Sequence, residues 1–237
     1  MSKNYGPNRL LAALTPDQFA SLEPHLEVVD LPQGRVIYDQ GETVTFAYFP
    51  CDSVIAITAA LDTGGSPEMV TIGREGMLGL VPLLGDREAF GRSIVQLAGT
   101  ALRIRYDHLL AAMDADANMR ATLLRYLQAL LAQALQGVAC NAVHPVDARC
   151  CRLILMTHDR ARQDDLPLTH EVLAAMLGVH RPTVTIATRT LQTAGLITQR
   201  RRVISIIDRA GLEEASCECY RLVRRRFEQL LPKTYSD

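Results

Sequence analysis

The arginines are the side chains whose type and spacing indicate a chemistry most directly. Lysine occurs at Lys3 and Lys233 alone, so 23 of the 25 basic residues are arginine. The planar guanidinium fork suits phosphate and guanine, although a bias in codon composition is an alternative source of the excess. No aspartate or glutamate lies between Glu171 and Asp208. That interval contains Arg181, Arg189, Arg200, Arg201 and Arg202. An ordinary solvated surface mixes both signs, so the interval predicts contact with a polyanion.

The formal net charge of −1 conceals two halves of opposite sign. Residues 1–144 carry 10 basic and 15 acidic side chains, a balance of −5, whereas residues 145–237 carry 15 and 11, a balance of +4. We therefore expect the second half to approach the polyanion and the first half to stay away from it.

Residues 170–191 have the pattern of a helix-turn-helix. Thr169 is expected to cap the first helix, and Ala174 is small enough for two helices to cross closely. Gly178 supplies the positive φ that reverses the chain within a short turn. Pro182 fits the first turn of the second helix, because its missing N–H would be unpaired there. The second helix is predicted to lie in the major groove of DNA, and a helical hairpin without a DNA role is the alternative.

Two short β-rich runs flank the three consecutive arginines. Residues 195–198 and 203–206 are predicted to pair as a hairpin, with Arg200, Arg201 and Arg202 at its turn. Such a hairpin next to a helix-turn-helix is a wing.

The elements before this motif are of two kinds. Short β-rich runs broken by turns, including one at residues 62–65, indicate an antiparallel sandwich or roll from about residue 26 to residue 104. The runs are residues 36–38, 46–49, 54–58, 69–72 and 94–97. With the helices that follow, the predicted fold class is α+β.

A long helix is predicted from Tyr106 to about Asn141, where His144 and Pro145 end it. Apolar or small residues recur on it at spacings of three and four, the seam of a coiled coil. The seam residues are Leu124, Leu127, Leu131, Ala134 and Val138. Flanking residues widen the stripe, so that one side is expected to cover the roll: Leu123, Leu130 and Leu135. We predict a homodimer, and a helix buried within one chain is the alternative.

The stretch from residues 168–174 through residues 195–197 resembles the winged helix of Crp/Fnr-family transcription regulators. The resemblance extends along nearly the whole chain, with Gly34 and Gly41 where the family's roll has turns. It implies a sensing β-roll at residues 1–111, a dimerisation helix and hinge at 112–143 and a DNA-binding domain at 144–237. It also implies double-stranded DNA, a second copy of the chain and RNA polymerase as partners.

The resemblance gives individual residues expected roles at DNA. Arg181 matches an arginine that forks onto guanine, and Thr183 matches a phosphate contact. Pro182 and Ile186 depart from the best-known members, so we expect a different operator, with Ile186 against a thymine methyl group. All residues expected at DNA are Thr169, His170, His180, Arg181, Thr183, Thr185, Ile186, Arg189, Arg200, Arg201 and Arg202.

The resemblance also implies an effector site in the roll. Its members are Gly76, Met77, Leu78, Gly79, Arg92 and Ser93. Met77 stands where a ribose-binding glutamate is expected, which argues against a cyclic nucleotide, and Arg92 has an ion pair with Asp86 or Glu88 as its alternative role. No cysteine precedes Cys51, so no iron–sulfur cluster is expected. Haem would need an axial ligand such as His25 or His108.

The six cysteines are spaced too irregularly for a disulfide framework, and none forms a Cys-x-x-Cys pair. They are Cys51, Cys140, Cys150, Cys151, Cys217 and Cys219. Reduced structural thiols are expected, although Cys140, Cys150 and Cys151 could respond to oxidation if exposed and acidified. Cys217 and Cys219 lie two apart on an expected helix, where side chains diverge by about 200°. We therefore predict core packing and no metal site.

Other classes of protein find no support in the sequence. The first ten residues are polar, and no apolar stretch approaches about 18 residues, so a cytoplasmic location without a membrane partner is predicted. No Ser/His/Asp spacing, Walker loop or His-Glu-x-x-His pair indicates an enzyme. A sequence-specific DNA-binding regulator is the leading prediction. A ligand-binding module that acts through protein contact without binding DNA is the alternative.

Overall fold

The computed structural model describes residues 8–59, 67–161 and 163–235, and the turn predicted at residues 62–65 lies outside them. The strands are β1 Glu27–Leu31, β2 Val36–Tyr38, β3 Phe46–Pro50, β4 Val54–Thr58, β5 Glu68–Ile72, β6 Arg92–Leu97, β7 Gly99–Arg105, β8 Asp165–Leu166, β9 Ile197–Arg200 and β10 Val203–Ile206. The helices are α1 Arg9–Ala12, α2 Pro16–Leu22, α3 Tyr106–Ala115, α4 Ala117–Val143, α5 Val146–Arg160, α6 His170–Leu177, α7 Arg181–Thr193, α8 Arg209–Ala215 and α9 Cys219–Leu230.

Two antiparallel sheets form the N-terminal roll. One has the strand order β1-β7-β3 and the other β2-β6-β4-β5. The turns before β2 and β3 contain Gly34 and Gly41, whose φ values of 83° and 81° are accessible mainly to glycine. The predicted α+β fold with an antiparallel roll is therefore confirmed.

The sequence interpretation did not identify β7, although this strand lies at the centre of its sheet. Its register pairs Leu102 with Phe49 on β3 and with Val28 on β1. Buried Leu102 and Ile104 alternate with Arg103 and Arg105, the pattern of a strand with one wet face. A search for continuous apolar runs passes over such a strand.

The predicted long helix is broken at Asp116, a correction to the single helix expected from Tyr106. The Asp116 carboxylate accepts hydrogen bonds from the amides of Asn118 and Met119 at 2.8 and 3.0 Å, which caps α4. The hydrogen bond from Met119 is the main reason why the pKa of Asp116 is lowered. α4 then runs for 27 residues and ends at His144, as predicted.

The C-terminal elements form a helical unit with its own small sheet. α5 packs against α6, α7 and α8, while α9 packs along α4. Buried apolar residues of the roll, of α4 and of this unit form one continuous cluster that includes Phe49, Tyr126 and Phe227. Among the described residues, no helix combines the length and the apolar character needed to span a bilayer.

Candidate functional site

The helix-turn-helix forms because each of its junctions has a local cause. The Thr169 hydroxyl accepts a hydrogen bond from the Val172 amide at 3.2 Å and caps α6. Gly178 adopts φ 63° and ψ 38°, which reverses the chain. α7 follows with His180 at its N-cap and Pro182 in its first turn. The predicted cap, turn and helix start are all confirmed.

The recognition helix α7 has one buried and one exposed face. Val184, Ala187 and Leu191 point into the core of the helical unit. The side chains on the opposite face are exposed, and those with predicted DNA roles are Arg181, Thr183, Ile186 and Arg189. Ile186 is 67% exposed although it is apolar, which leaves it available for contact with another molecule.

Arg181 already has an acidic neighbour on the surface. Its Nε lies 2.7 Å from Oε1 of Glu171, and both side chains are about two-thirds exposed. The interval without acids in the sequence is therefore not free of acids in space. An exposed pair of this kind contributes only about 0.2–1 kcal/mol, so Arg181 can exchange Glu171 for another partner at little cost.

His170 connects three elements of the motif. Its Nδ1 lies 3.1 Å from the Thr185 hydroxyl, and its Nε2 lies 2.7 Å from Oε1 of Gln199 and 3.1 Å from the Thr188 hydroxyl. The Thr185 hydroxyl also donates to the Arg181 carbonyl at 3.1 Å. Both nitrogens of His170 thus face groups of the protein, and the ring fixes α6, α7 and β9 relative to one another.

The wing is an antiparallel hairpin of β9 and β10, in which Arg200 pairs with Val203. Arg201 lies at its tip with φ 55°, a position at which two-residue turns commonly place glycine. Arg200, Arg201 and Arg202 are all exposed. A third strand, β8, which the sequence interpretation did not identify, pairs with β10. The hairpin itself is as predicted.

The two faces of α4 differ in the way the seam prediction requires. Leu123 and Leu130 are buried against the rest of the chain, whereas Leu124, Leu131 and Val138 are exposed. Leu127 and Ala134 are half-buried between them. Leu135 is exposed as well, so it widens the outer stripe and does not cover the roll. An apolar stripe therefore runs along the outer face of α4.

Comparison with known proteins agrees with this geometry. A family model described as a Crp-like helix-turn-helix domain matches residues 148–215, which include α6, α7 and the wing. No curated protein sequence matches the chain.

Solved structures share the fold. FixK2 from Bradyrhizobium japonicum is 16% identical, with a TM-score of 0.70 over 81% of this chain and 98% of that one. A Crp/Fnr-family transcriptional regulator from Thermus thermophilus is 22% identical, with a TM-score of 0.65 over 80% and 98%. A putative regulator of the same family from Eubacterium rectale is 20% identical, with a TM-score of 0.63 over 90% and 99%. Residues 148–215 therefore match a Crp-like helix-turn-helix domain, and the chain as a whole shares the fold of these structures.

Four of the six predicted effector residues lie around a small pocket in the roll. Met77, Leu78, Gly79 and Ser93 line a mostly apolar space of about 30 Å³ in the roll. Sites for small molecules commonly measure about 300–1,000 Å³. Residues 76–79 of the predicted effector site are called the cassette below. The Tyr126 hydroxyl donates to the Met77 carbonyl at 3.0 Å, so part of the cassette backbone already has a partner within the chain.

Gly76 and Arg92, the other two predicted effector residues, lie outside this space. A Cβ atom at Gly76 would come within 2.2 Å of the Tyr126 ring, so glycine allows that close packing. Arg92 forms an ion pair with Asp39, with Nε 2.8 Å from Oδ1. The expected partners of Arg92, Asp86 and Glu88, are therefore wrong.

The acid next to the cassette has a structural role that the sequence did not reveal. Glu75 accepts a hydrogen bond from Nε of Arg160 at 2.7 Å, and both side chains are at most 2% exposed. Arg160 also donates to the Gln133 side chain at 3.1 Å. This cluster joins the roll, α4 and α5 through buried charge.

The two histidines considered as haem ligands, His25 and His108, are exposed and stack on each other with ring centroids 4.0 Å apart. Their faces therefore contact each other on the surface of the chain.

The six cysteines have two kinds of surroundings, and Cys51 is buried in the main core. Cys150 and Cys151 lie in the main core, where burial raises the pKa of each thiol to about 12. Cys140, Cys217 and Cys219 form a separate buried cluster. A hydrogen bond with Cys217 lowers the pKa of Cys140 to about 5.

The prediction that Cys217 and Cys219 cannot share a metal site rested on a common helix, and that premise is wrong. Cys217 lies in the connection between α8 and α9, and only Cys219 belongs to α9. Their sulfur atoms meet Cys140 and His144, and all four potential ligand atoms lie within 4.8 Å of one another.

Proposed function

We propose that this chain is a DNA-binding transcription regulator of the Crp/Fnr type, which acts as a homodimer on a pseudo-palindromic operator with α7 of each copy in the major groove. The observation that carries the proposal is the exposed face of α7, which presents Arg181, Ile186 and Arg189 beside the arginines of the wing. A face of this composition offers both phosphate contacts and contacts to base edges.

The side chains divide into readers and anchors. Arg181 lies in the first turn of α7, where its guanidinium is placed to donate to O6 and N7 of a guanine. Ile186 contacts a thymine methyl group, and Thr185 is a further reader whose hydroxyl would have to leave His170. Thr183, Arg189 and the wing arginines contact phosphates and hold the register without reading sequence.

The residues at the helix starts have supporting roles in this proposal. The free amides at the start of a helix favour an anion, so the regions of Thr169 and His180 contact phosphate. His170 is a positioning residue, because both ring nitrogens hold α7 and the wing in place.

The dimer forms along the outer stripe of α4. Leu124, Leu131 and Val138 recur every seven residues, the repeat of a coiled-coil seam, and all three are exposed in one chain. Two-fold dimers of helix-turn-helix units contact half-sites about one turn of DNA apart, so we expect that spacing for the two α7 helices of this dimer. Contact with RNA polymerase and a cytoplasmic location complete the proposal.

A binding selection from random duplexes tests the DNA function directly. The full chain should enrich a dyad whose half-sites are centred about one helical turn apart. Affinity for the selected duplex should fall steeply with salt, because each arginine that neutralises a phosphate releases counterions. No enriched dyad, or binding that salt does not affect, would favour the module that acts through protein contact.

Mass measurement in solution tests the seam. The unaltered chain should be a dimer, and Leu131→Asp should be a monomer because it places charge in the apolar stripe. Val28→Asp is the matched control, since Val28 is an equally exposed apolar residue on β1 of the roll. A dimer that survives Leu131→Asp would contradict the proposed seam.

A further inference from the structure

The second group of cysteines brings together side chains from two distant segments of the chain, the end of α4 and the start of α9. Cys140 lies in the last turn of α4, and His144 caps the end of that helix. Cys217 and Cys219 come from the far side of the helical unit, with Cys217 placed 77 residues after Cys140 in the chain. Three thiols and one imidazole are a ligand set typical of structural zinc.

The distances suit one ion. Sγ of Cys140 lies 3.5 Å from Sγ of Cys217, and Sγ of Cys219 lies 3.6 Å from Nδ1 of His144. Zinc–sulfur bonds of about 2.3 Å at tetrahedral angles place neighbouring sulfur atoms roughly 3.8 Å apart. An iron–sulfur cluster distributes its protein ligands over two or more iron atoms and therefore places them farther apart. The spacing of these four side chains fits a mononuclear ion better.

The groups around the ligands are those that a metal site needs. Nε2 of His144 lies 3.1 Å from Oε2 of Glu218, which leaves Nδ1 directed at the thiols. A carboxylate behind a ligating histidine fixes its tautomer and orientation. Gln136 donates from Nε2 to Sγ of Cys219 at 3.0 Å, a contact that stabilises a thiolate.

Basic residues lie next to the ligand set. A divalent ion with three thiolates and a neutral imidazole has a net charge of −1. Arg149 and Arg152 belong to α5, the helix whose Ala148 packs against the cluster, and their positive charges oppose that charge.

Packing of apolar thiols explains the cluster less well. Cys150 and Cys151 show what that role looks like here, since both lie within the main apolar core. Cys140, Cys217 and Cys219 are buried apart from that core, with Ala148 as the partly buried apolar residue packed against them. Their nearest polar neighbours are one another, His144 and Gln136.

We propose that Cys140, His144, Cys217 and Cys219 bind one thiophilic divalent cation, zinc in the first instance. With four protein ligands the site is closed, so the ion has a structural role. It fastens the start of α9 to the end of α4, next to the hinge at which the DNA-binding unit begins. The ion thus restrains the position of that unit relative to the proposed dimer helix.

Elemental analysis of the full chain provides the first test. Protein prepared under reducing conditions with zinc, then freed of loosely held metal, should retain one zinc per chain. Cys217→Ser and His144→Ala should lose this stoichiometric binding. Cys150→Ala should keep it, because that buried thiol lies outside the cluster.

Cobalt provides a second, spectroscopic readout, and the unaltered chain alone already gives a result with it. The unaltered chain loaded with Co²⁺ should show intense thiolate-to-cobalt charge-transfer absorption and the d–d bands of a tetrahedral ion. Glu218→Gln should keep this spectrum and weaken metal affinity by about 10–100-fold, the usual effect of losing a carboxylate behind a ligating histidine.

Three results would overturn the proposal. One is a reduced chain that takes up neither zinc nor cobalt. Another is an unchanged cobalt spectrum in Cys217→Ser, and the third is a Cys140–Cys217 disulfide that forms in preference to metal binding. Because these readouts involve no DNA, they are independent of the proposed operator binding.

Discussion

The predicted effector site of the roll and the exposed face of α7 both contain arginines, but the groups around those arginines differ. In the roll, Arg92 is paired with Asp39, the adjacent Glu75 is paired with buried Arg160, and fully buried Met77 lines the small pocket. On α7, Arg181 forms a solvent-exposed pair with Glu171, and Arg189 and the neighbouring wing arginines are exposed to solvent.

The face of α7 can therefore bind a charged partner, whereas the charged groups of the roll already have partners within the chain. Charged residues of the roll hold this chain together through internal pairs, whereas the exposed arginines of α7 and the wing remain available for a partner. Arg160 connects the roll with the C-terminal helical unit. It belongs to α5 of that unit, and its positive charge is neutralised by Glu75 of the roll.

The largest expected effect comes from breaking that connection. Arg160→Ala leaves the Glu75 carboxylate buried without its positively charged partner, so we expect a loss of about 3–5 kcal/mol in the free energy of unfolding. Urea denaturation followed by circular dichroism measures it. The double variant with Glu75→Leu and Arg160→Met should recover most of the loss, because no unpaired charge remains. A loss below about 1 kcal/mol in the single variant would show that the buried pair does not join the two regions.

The next effect concerns the filled pocket. Met77 is fully buried, so Met77→Ala should cost about 2–5 kcal/mol through lost contacts and the cavity left behind. The same urea titration measures this change, and Met69→Ala serves as the control on a partly exposed methionine of β5. Comparable losses at the two positions would contradict the view that Met77 fills the cassette.

Local signals made the DNA-binding motif predictable. The cap at Thr169, the positive φ at Gly178 and the proline in the first turn of α7 each depend on a few neighbouring residues. The same is true of the apolar spacing along α4. Such features can be recognised without knowing which distant segments meet.

Partners across the fold were not predictable in this way. Arg92 pairs with Asp39 because the antiparallel register of β2 and β6 sets Tyr38 opposite Ser93. Asp39, which follows Tyr38, then lies beside Arg92, which precedes Ser93. A sequence shows Asp86 and Glu88 near Arg92, but it does not show the strand register.

Whether the cluster of Cys140, His144, Cys217 and Cys219 could be recognised depended on a helix boundary. Placing Cys217 and Cys219 on one helix separates their side chains, whereas starting α9 at Cys219 allows both to face α4. Helix ends are the least certain part of a sequence interpretation, and here a shift of about two residues changes the chemistry.

A smaller effect sharpens the contrast from the DNA side. Arg181→Ala should reduce affinity for the selected operator by about 1–3 kcal/mol and relax the preference at one base pair. Fluorescence anisotropy with the operator and with single-base variants measures both. Arg201→Ala should weaken binding to every duplex similarly and reduce the salt slope by about 1. Arg225→Ala, at an exposed position of α9, should change neither. Equal effects of Arg181→Ala and Arg201→Ala on all duplexes would contradict the division into reader and anchor.

The smallest effect is expected at Arg92, the residue on which the comparison is easiest to break. Its ion pair with Asp39 is about half exposed, so Arg92→Ala should change the free energy of unfolding by no more than about 1 kcal/mol. If the cassette does not hold a cyclic nucleotide, adding cyclic AMP or cyclic GMP should leave operator affinity unchanged in both the unaltered chain and Arg92→Ala. A nucleotide response in the unaltered chain that disappears in Arg92→Ala would show that this arginine leaves Asp39 for a phosphate. The roll would then resemble α7 in exchanging an intramolecular partner for a ligand, and the contrast between the two regions would fail.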